Sequence, residues 1–425
     1  MGFTADDGDS SNRRSLRANC TAFPSVRFKL LANHLICVGF LLLPCPRLIE
    51  ATMIGVFSVP YQSIDQIQKL LSDTVFSHTE SSKKAAGRAL GTIVEIITYY
   101  LIKAWGHQFG VAIERPLPEY ANDDILHNVE FTYHRYKILG TMDIHPGNSI
   151  SSTRIYNAAN LPNRFQKSRT SRNLIKDGVI KNACTIAYSE SSFCNAYISN
   201  DRRKMLLSEL NNTPYAMFEC KRVGVEEGMK KGPQTIEKAK QGAYVARTVS
   251  SLQRVRLQDG RIGGVIERNG RFETFDDYYD VIDHAIIEHD TTILKNFILT
   301  VGVVSNHGNW FTSDNQNKEM RVLAQSYDWL LFLTDEGLAS FIKKIINGDR
   351  AFSVVRNAFE SSYKEGKKAN KFTKTNMDFD ADKVLVKYFS KNRSEILSWF
   401  NVITPVGRSL EQLDNMLIEL GRMEV

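Results

Sequence analysis

The sequence predicts an α/β protein with a mixed central sheet, flanking helices and a mainly helical C-terminal region, and three observations carry that prediction. Segments with the 3.6-residue apolar period of helices alternate with short runs of β-branched and aromatic residues. Two of those runs, NFILTVGVVS and DWLLFLT, are apolar almost throughout, as strands covered on both faces are. Apolar and charged fractions of 43% and 24% exclude wholesale disorder, and 425 residues suffice for a sizeable core. The net charge of +7 excludes binding by bulk charge but leaves room for a local basic groove.

The chain starts irregularly. Arg13, Arg14, Arg17, Arg27 and Lys29 precede HLICVGFLLLPCP, an imitation of a secretory leader. The apolar run from Leu35 to Leu43 is too short to cross a membrane, and no small-x-small cleavage site follows it. The expectation is therefore an extension, residues 1–52, upstream of a true start at Met53, with an N-terminal tail or an exported protein as rivals. Six cysteines without a C-x-x-C pair, and histidines away from zinc-ligand spacing, indicate reduced thiols and no structural zinc. A cytoplasmic protein without a membrane partner is expected.

From there the elements follow in order. SSKKAAGRALGTIVEIITYYLIKAWG is a helix with Ile93, Ile97, Tyr100, Leu101 and Ala104 on one stripe and Gly106 at its end. NVEFTYHRYKILGTMDI alternates as a strand or hairpin, residues 147–172 form a polar, basic loop, and NLIKDGVI is a short strand. YAMFECK is the next strand, and TIEKAKQGAYVARTVSSL is a helix whose Ile236, Ala239, Ala243 and Ala246 suit close packing on a sheet. GRIGGVIERNG reads as a hairpin, and the two buried strands follow. The expected organisation is a core over 53–345 with an insertion around 180–213, and a helical region over 346–425 packed on it.

The chemistry concentrates in YAMFECK. Side chains alternate along a strand, so Glu219 and Lys221 share a face about 7 Å apart. KEGKK holds Glu365 and Lys367 at the same spacing in a polar stretch, where they read as a solvated pair; an apolar strand is no place for charges that only confer solubility. One carboxylate is a poor magnesium site. The best-placed second carboxylate is Asp177 in LIKDGVI, with Asp143 in GTMDIHPG and Asp201 in ISNDRRK as alternatives. His307 in SNHGNW reads as a turn residue, and the aspartates of FDDYYDVIDH match no calcium loop.

These residues resemble the PD-(D/E)XK nuclease superfamily, specifically its type II restriction endonucleases. The likeness spans roughly residues 85 to 335 as an order of elements: helix with a glutamate, strand with an aspartate, strand with E-x-K, helix, strand, strand. It implies that Asp177 and Glu219 ligate Mg2+ with the backbone carbonyl of Cys220, that Lys221 orients or activates water, and that Glu95 touches the water shell of the metal. It also implies hydrolysis of double-stranded DNA to 5′-phosphate and 3′-hydroxyl ends, a homodimer and a separate cognate DNA methyltransferase. Lysine stands where the family often has proline before the aspartate, and the long stretch between Asp177 and Glu219 requires a looped-out insertion. Lys230, Lys231, Gln234, Lys238, Gln241, Arg169 and Arg172 are the candidate DNA contacts. The rival readings are a repair or recombination nuclease of the same fold and a non-catalytic DNA-binding protein.

Overall fold

In the computed structural model the described residues are 63–119, 122–144, 149–223, 234–363 and 370–423. The first part of the fold runs α1 (Ile64–Thr74), α2 (Ser82–Trp105), β1 (Val111–Glu119), β2 (Asn122–Asp143), β3 (Ile150–Ser151), α3 (Ser152–Ala158), β4 (Gln166–Lys167), β5 (Asn173–Lys176), β6 (Val179–Lys181), β7 (Cys184–Tyr188), β8 (Ser192–Ile198) and β9 (Lys204–Arg222). The middle runs α4 (Gln234–Val249), β10 (Leu252–Arg256), β11 (Ile262–Arg268), β12 (Arg271–Phe275), α5 (Tyr278–Ile287), α6 (Thr291–Leu294), β13 (Leu299–Ser305), α7 (Lys318–Ala324) and β14 (Trp329–Leu333). The last part is α8 (Asp335–Asn347), α9 (Ser353–Ser362), β15 (Asn376–Asp378), α10 (Phe379–Lys391), α11 (Arg393–Leu397), β16 (Phe400–Thr404) and α12 (Leu410–Arg422).

The protein is α/β with a mixed central sheet and flanking helices. One path through that sheet runs β16-β14-β13-β9-β8-β7-β4, and β2, itself paired with β1, lies along the other edge of β9. The long strand β9 changes partners midway. Its C-terminal half pairs in parallel with β13, Ala216–Arg222 against Leu299–Ser305. Its N-terminal half pairs antiparallel with β8. As expected of strands covered on both faces, every residue of β13 and β14 is buried.

Helices cover both faces of β9. α2 ends at Gly106, whose φ of +88° only glycine adopts freely. This helix has the length and apolarity of a membrane span, but most of it is buried inside the protein. Ile93, Ile97 and Tyr100 are inside, and so are Tyr99 and Ile102 on the other side of the helix. α4 packs through the small stripe expected for it, Ala239, Ala243 and Ala246, all buried with Met217 of β9.

One expectation needs revision and another gains detail. Residues 180–213 are not a loop thrown out of the sheet: they build β7, β8 and the first half of β9 within it. The region 346–425 is helical in large part but also contributes strands, β16 pairing antiparallel with β14 and β15 pairing with β6. Residues 1–62, with the leader-like stretch and Met53, lie outside the described residues, as do Glu365 and Lys367.

Candidate functional site

The site assembles where β2 and β9 lie side by side. Their antiparallel register sets Phe131 opposite Phe218. One step further along each strand stand Glu130 and Glu219, only 7% and 1% exposed. Lys221 lies between them, its Nζ 2.8 Å from Glu130 Oε1 and 2.6 Å from Glu219 Oε1. The Cys220 backbone N–H donates to Glu130 Oε2 at 3.4 Å. His127 of β2 brings Nε2 to 3.8 Å from Glu219 Oε1.

Close packing of α4 shapes the Glu219 side of the site. A Cβ on Gly242 would stand 2.9 Å from Glu219 Oε2, so the glycine makes room for the carboxylate. Neither Glu219 oxygen has a hydrogen-bond partner of good geometry among the described residues; its contacts are ionic.

A second lysine enters from the C-terminal region. Lys374 Nζ lies 3.2 Å from Glu95 Oε2, 3.6 Å from Glu114 Oε1 and 3.9 Å from Glu130 Oε1. Elements far apart in sequence, α2, β1, β2, β9 and the segment before β15, therefore meet at one patch of charge. Glu114 is more than half exposed and Lys221 about one-third exposed, so the patch opens to solvent on that side.

The charges perturb one another in definite directions. Burial, reinforced by Glu219 close by, pushes the Glu130 carboxyl above its ordinary range against the pull of Lys221 and Lys374. Burial works to raise Glu219 too, but His127, Glu130 and Lys221 together hold it below that range. Lys221 loses by burial and gains more from Glu219 and Glu130, so it stays an ammonium. Burial also pushes Glu95 up, with Lys374 opposing. Two adjacent carboxylates driven apart in proton affinity are common at functional sites.

The structure gathers only part of the predicted set. Glu219, Lys221, Cys220 and Glu95 are brought together. Asp177 is not: it sits exposed in the two-residue turn of the β5–β6 hairpin, in a separate sheet of order β15-β6-β5-β3. Its φ of +52°, followed by +71° at Gly178, explains the residue choice, because a tight hairpin of this kind favours Asp-Gly. Asp143 lies exposed at the opposite end of β2, across from Lys204. Asp201 is exposed in the turn before β9, bonded to Ser199 and the Arg203 backbone N–H. The carboxylate that stands beside Glu219 is Glu130 and none of these aspartates.

The proposed DNA contacts divide similarly. Lys238 and Gln241 are exposed on α4, Lys238 one turn before Gly242, while Arg169 is exposed just after β4 and Arg172 just before β5. Arg172 is tied there through its backbone to Ser152. α4 begins at Gln234, but its side chain, with Lys230 and Lys231, lies outside the described residues.

Sequence reasoning missed Glu130, His127, Glu114 and Lys374. Glu130 carried the signal that singled out Glu219, a lone carboxylate between apolar neighbours in an aromatic strand, NVEFTY. Lys374, in the polar run KFTKTN, carried none. Among the described residues no group of three or more His, Cys, Asp or Glu side chains forms a ready metal site. Comparison with protein-family models, with curated proteins and with solved structures finds no match to this chain.

Proposed function

We propose that the chain is a magnesium-dependent endonuclease of PD-(D/E)XK type that hydrolyses double-stranded DNA at specific sequences, as a type II restriction enzyme does. The observation that carries this reading is the pairing of Glu130 with Glu219 on adjacent strands around Lys221, beneath α4. The order β1, β2, β9, α4, β13, with β13 parallel to the E-x-K half of β9, supports the same core.

The donor set suits a hard cation. Magnesium keeps several waters and takes one or two protein carboxylates, and Glu219 offers two oxygens without hydrogen bonds of good geometry. Glu130, Glu219 and the Cys220 carbonyl would hold it. Bound there, the ion would neutralise phosphate charge and make water a stronger nucleophile. Lys221, kept protonated by its two carboxylates, acts as a donor rather than a base, so its role is to fix a phosphate oxygen or the attacking water. Attack on phosphorus in line with the P–O3′ bond breaks that bond, leaving a 5′-phosphate on one fragment and a 3′-hydroxyl on the other. Lys238 on α4 is placed to meet backbone phosphate, and a homodimer would present one site to each strand. A cognate methyltransferase would protect the host's own sites.

The test is incubation of the full chain with unmethylated phage DNA, with magnesium or with EDTA. Beside it stand Glu130→Gln, Glu219→Gln, Lys221→Ala and Asp177→Asn. Discrete magnesium-dependent bands are expected, weakened about 100-fold or more by the first three substitutions and unchanged by Asp177→Asn. Equal inertness of the wild type and all variants on varied DNA overturns the reading.

A further inference from the structure

Lys374 is the charge in the cluster that the proposed hydrolysis leaves without a task. Its side chain is 7% exposed, whereas buried lysines usually carry the ammonium out to water. Instead Nζ is met by carboxylates from three elements, Glu95 of α2, Glu114 of β1 and Glu130 of β2. One partner is enough to compensate a buried ammonium, and Lys374 has three, of which Glu130 is itself buried and carries a desolvation cost of its own.

Glu130 makes the arrangement informative because its Oε1 serves two cations. It lies 2.8 Å from Lys221 Nζ on one side and 3.9 Å from Lys374 Nζ on the other. Two positive positions thus flank one carboxylate, the first shared with Glu219 and the second with Glu95. Two positive centres held side by side by shared carboxylates are the arrangement that two-metal phosphodiester chemistry uses to clamp its attacking and leaving oxygens. The two lysines differ in freedom, however. Lys221, at 31% exposure, has solvent beside it to turn into; Lys374, at 7%, is enclosed.

We propose that Lys374 is a built-in cation that fills the second position permanently, so that each site takes up one divalent ion from solution rather than two. Lys374 is then a positioning residue: it neutralises Glu95 and holds Glu130 turned towards the exchangeable position. The inference rests on the nuclease reading for the identity of that first position, and the metal count separates the two claims.

The experiment is an equilibrium titration of the full chain with Mn2+, free ion being read by electron paramagnetic resonance in the absence of DNA. One ion per chain is expected for the wild type and for Lys374→Arg, which keeps the charge. Lys374→Gln should take two, and Glu95→Gln added to it should return the count to one. Two ions in the wild type, or still one in a Lys374→Gln protein with native circular dichroism, overturn the inference while leaving the nuclease reading in place. No ion in the wild type removes both. Should Lys374→Gln fail to fold, the wild-type and Lys374→Arg counts still decide, since two ions in either contradict a filled second position.

Discussion

His134 on β2 is fully buried and satisfied as a neutral ring. Nδ1 meets the Asn211 carbonyl at 2.7 Å and Nε2 meets the Thr132 hydroxyl at 2.7 Å. Burial first, and the charge of Arg115 second, bring its pKa down to about 3. An unfolded imidazole titrates near 6.5, so between that value and about 3 the unfolded chain binds a proton that the native protein refuses. Stability from this residue is therefore complete above pH 6.5 and drains as the pH falls, by about 1.4 kcal/mol per unit. Denaturant unfolding at pH 7 and pH 5 should show the wild type losing about 2 kcal/mol more than His134→Gln. Equal losses would mean that the ring is protonated in the native state.

At the scale of elements, the docking of α4 on β9 depends on small residues, and Gly242 is the most constrained of them. Gly242→Ala puts a methyl against Glu219 Oε2, and the neighbouring Met217 Cε, 3.2 Å from the same Cβ position, leaves little room for the helix to shift. The expected result is a folded protein destabilised by about 1–3 kcal/mol, with Mn2+ affinity lowered as Glu219 is displaced. Unaltered ion affinity in the alanine variant would show that this oxygen is not a ligand. The alanine stripe of α4 was legible in the sequence because helical period and residue size act locally. So was the strand bearing Glu219 and Lys221, where charge interrupts an apolar run. Asp177 misled because two physical demands select aspartate: a ligand needs its carboxylate, and a two-residue hairpin turn needs a residue that tolerates positive φ. NVEFTY held the same anomaly as YAMFECK, but pairing β2 with β9 is a long-range fact that no local pattern specifies. Lys374 was beyond reach for the same reason, having neither period nor neighbours to mark it.

For the whole molecule, the C-terminal region is part of the framework rather than an appendage. Asp382 of α10 is the tie: Lys103 Nζ lies 2.9 Å from Oδ1, the Tyr100 hydroxyl donates to the same oxygen at 2.6 Å, and Arg202 grips Oδ2. All four residues are buried. Asp382→Ala leaves a lysine and an arginine buried without their counter-charge, which should cost about 3–5 kcal/mol in denaturant unfolding. A loss below about 1 kcal/mol would mean that water reaches these cations. The same region delivers β16 to the sheet edge, α12 against Tyr215 of β9 and Lys374 to the charge cluster.

The cluster's dependence on Lys374 also has a consequence in time. A nascent chain emerges from its N-terminus at about 5–20 residues per second, and strands paired across long separations wait for their partners. β2 and β9 are made before β13, the parallel neighbour of the E-x-K half of β9, and Lys374 is made later still. For roughly ten seconds to a minute of each round of synthesis Glu95, Glu114 and Glu130 exist without the ammonium that they surround. The site is thus finished only after β13, β14, α8 and α9 have been made and can fold around it.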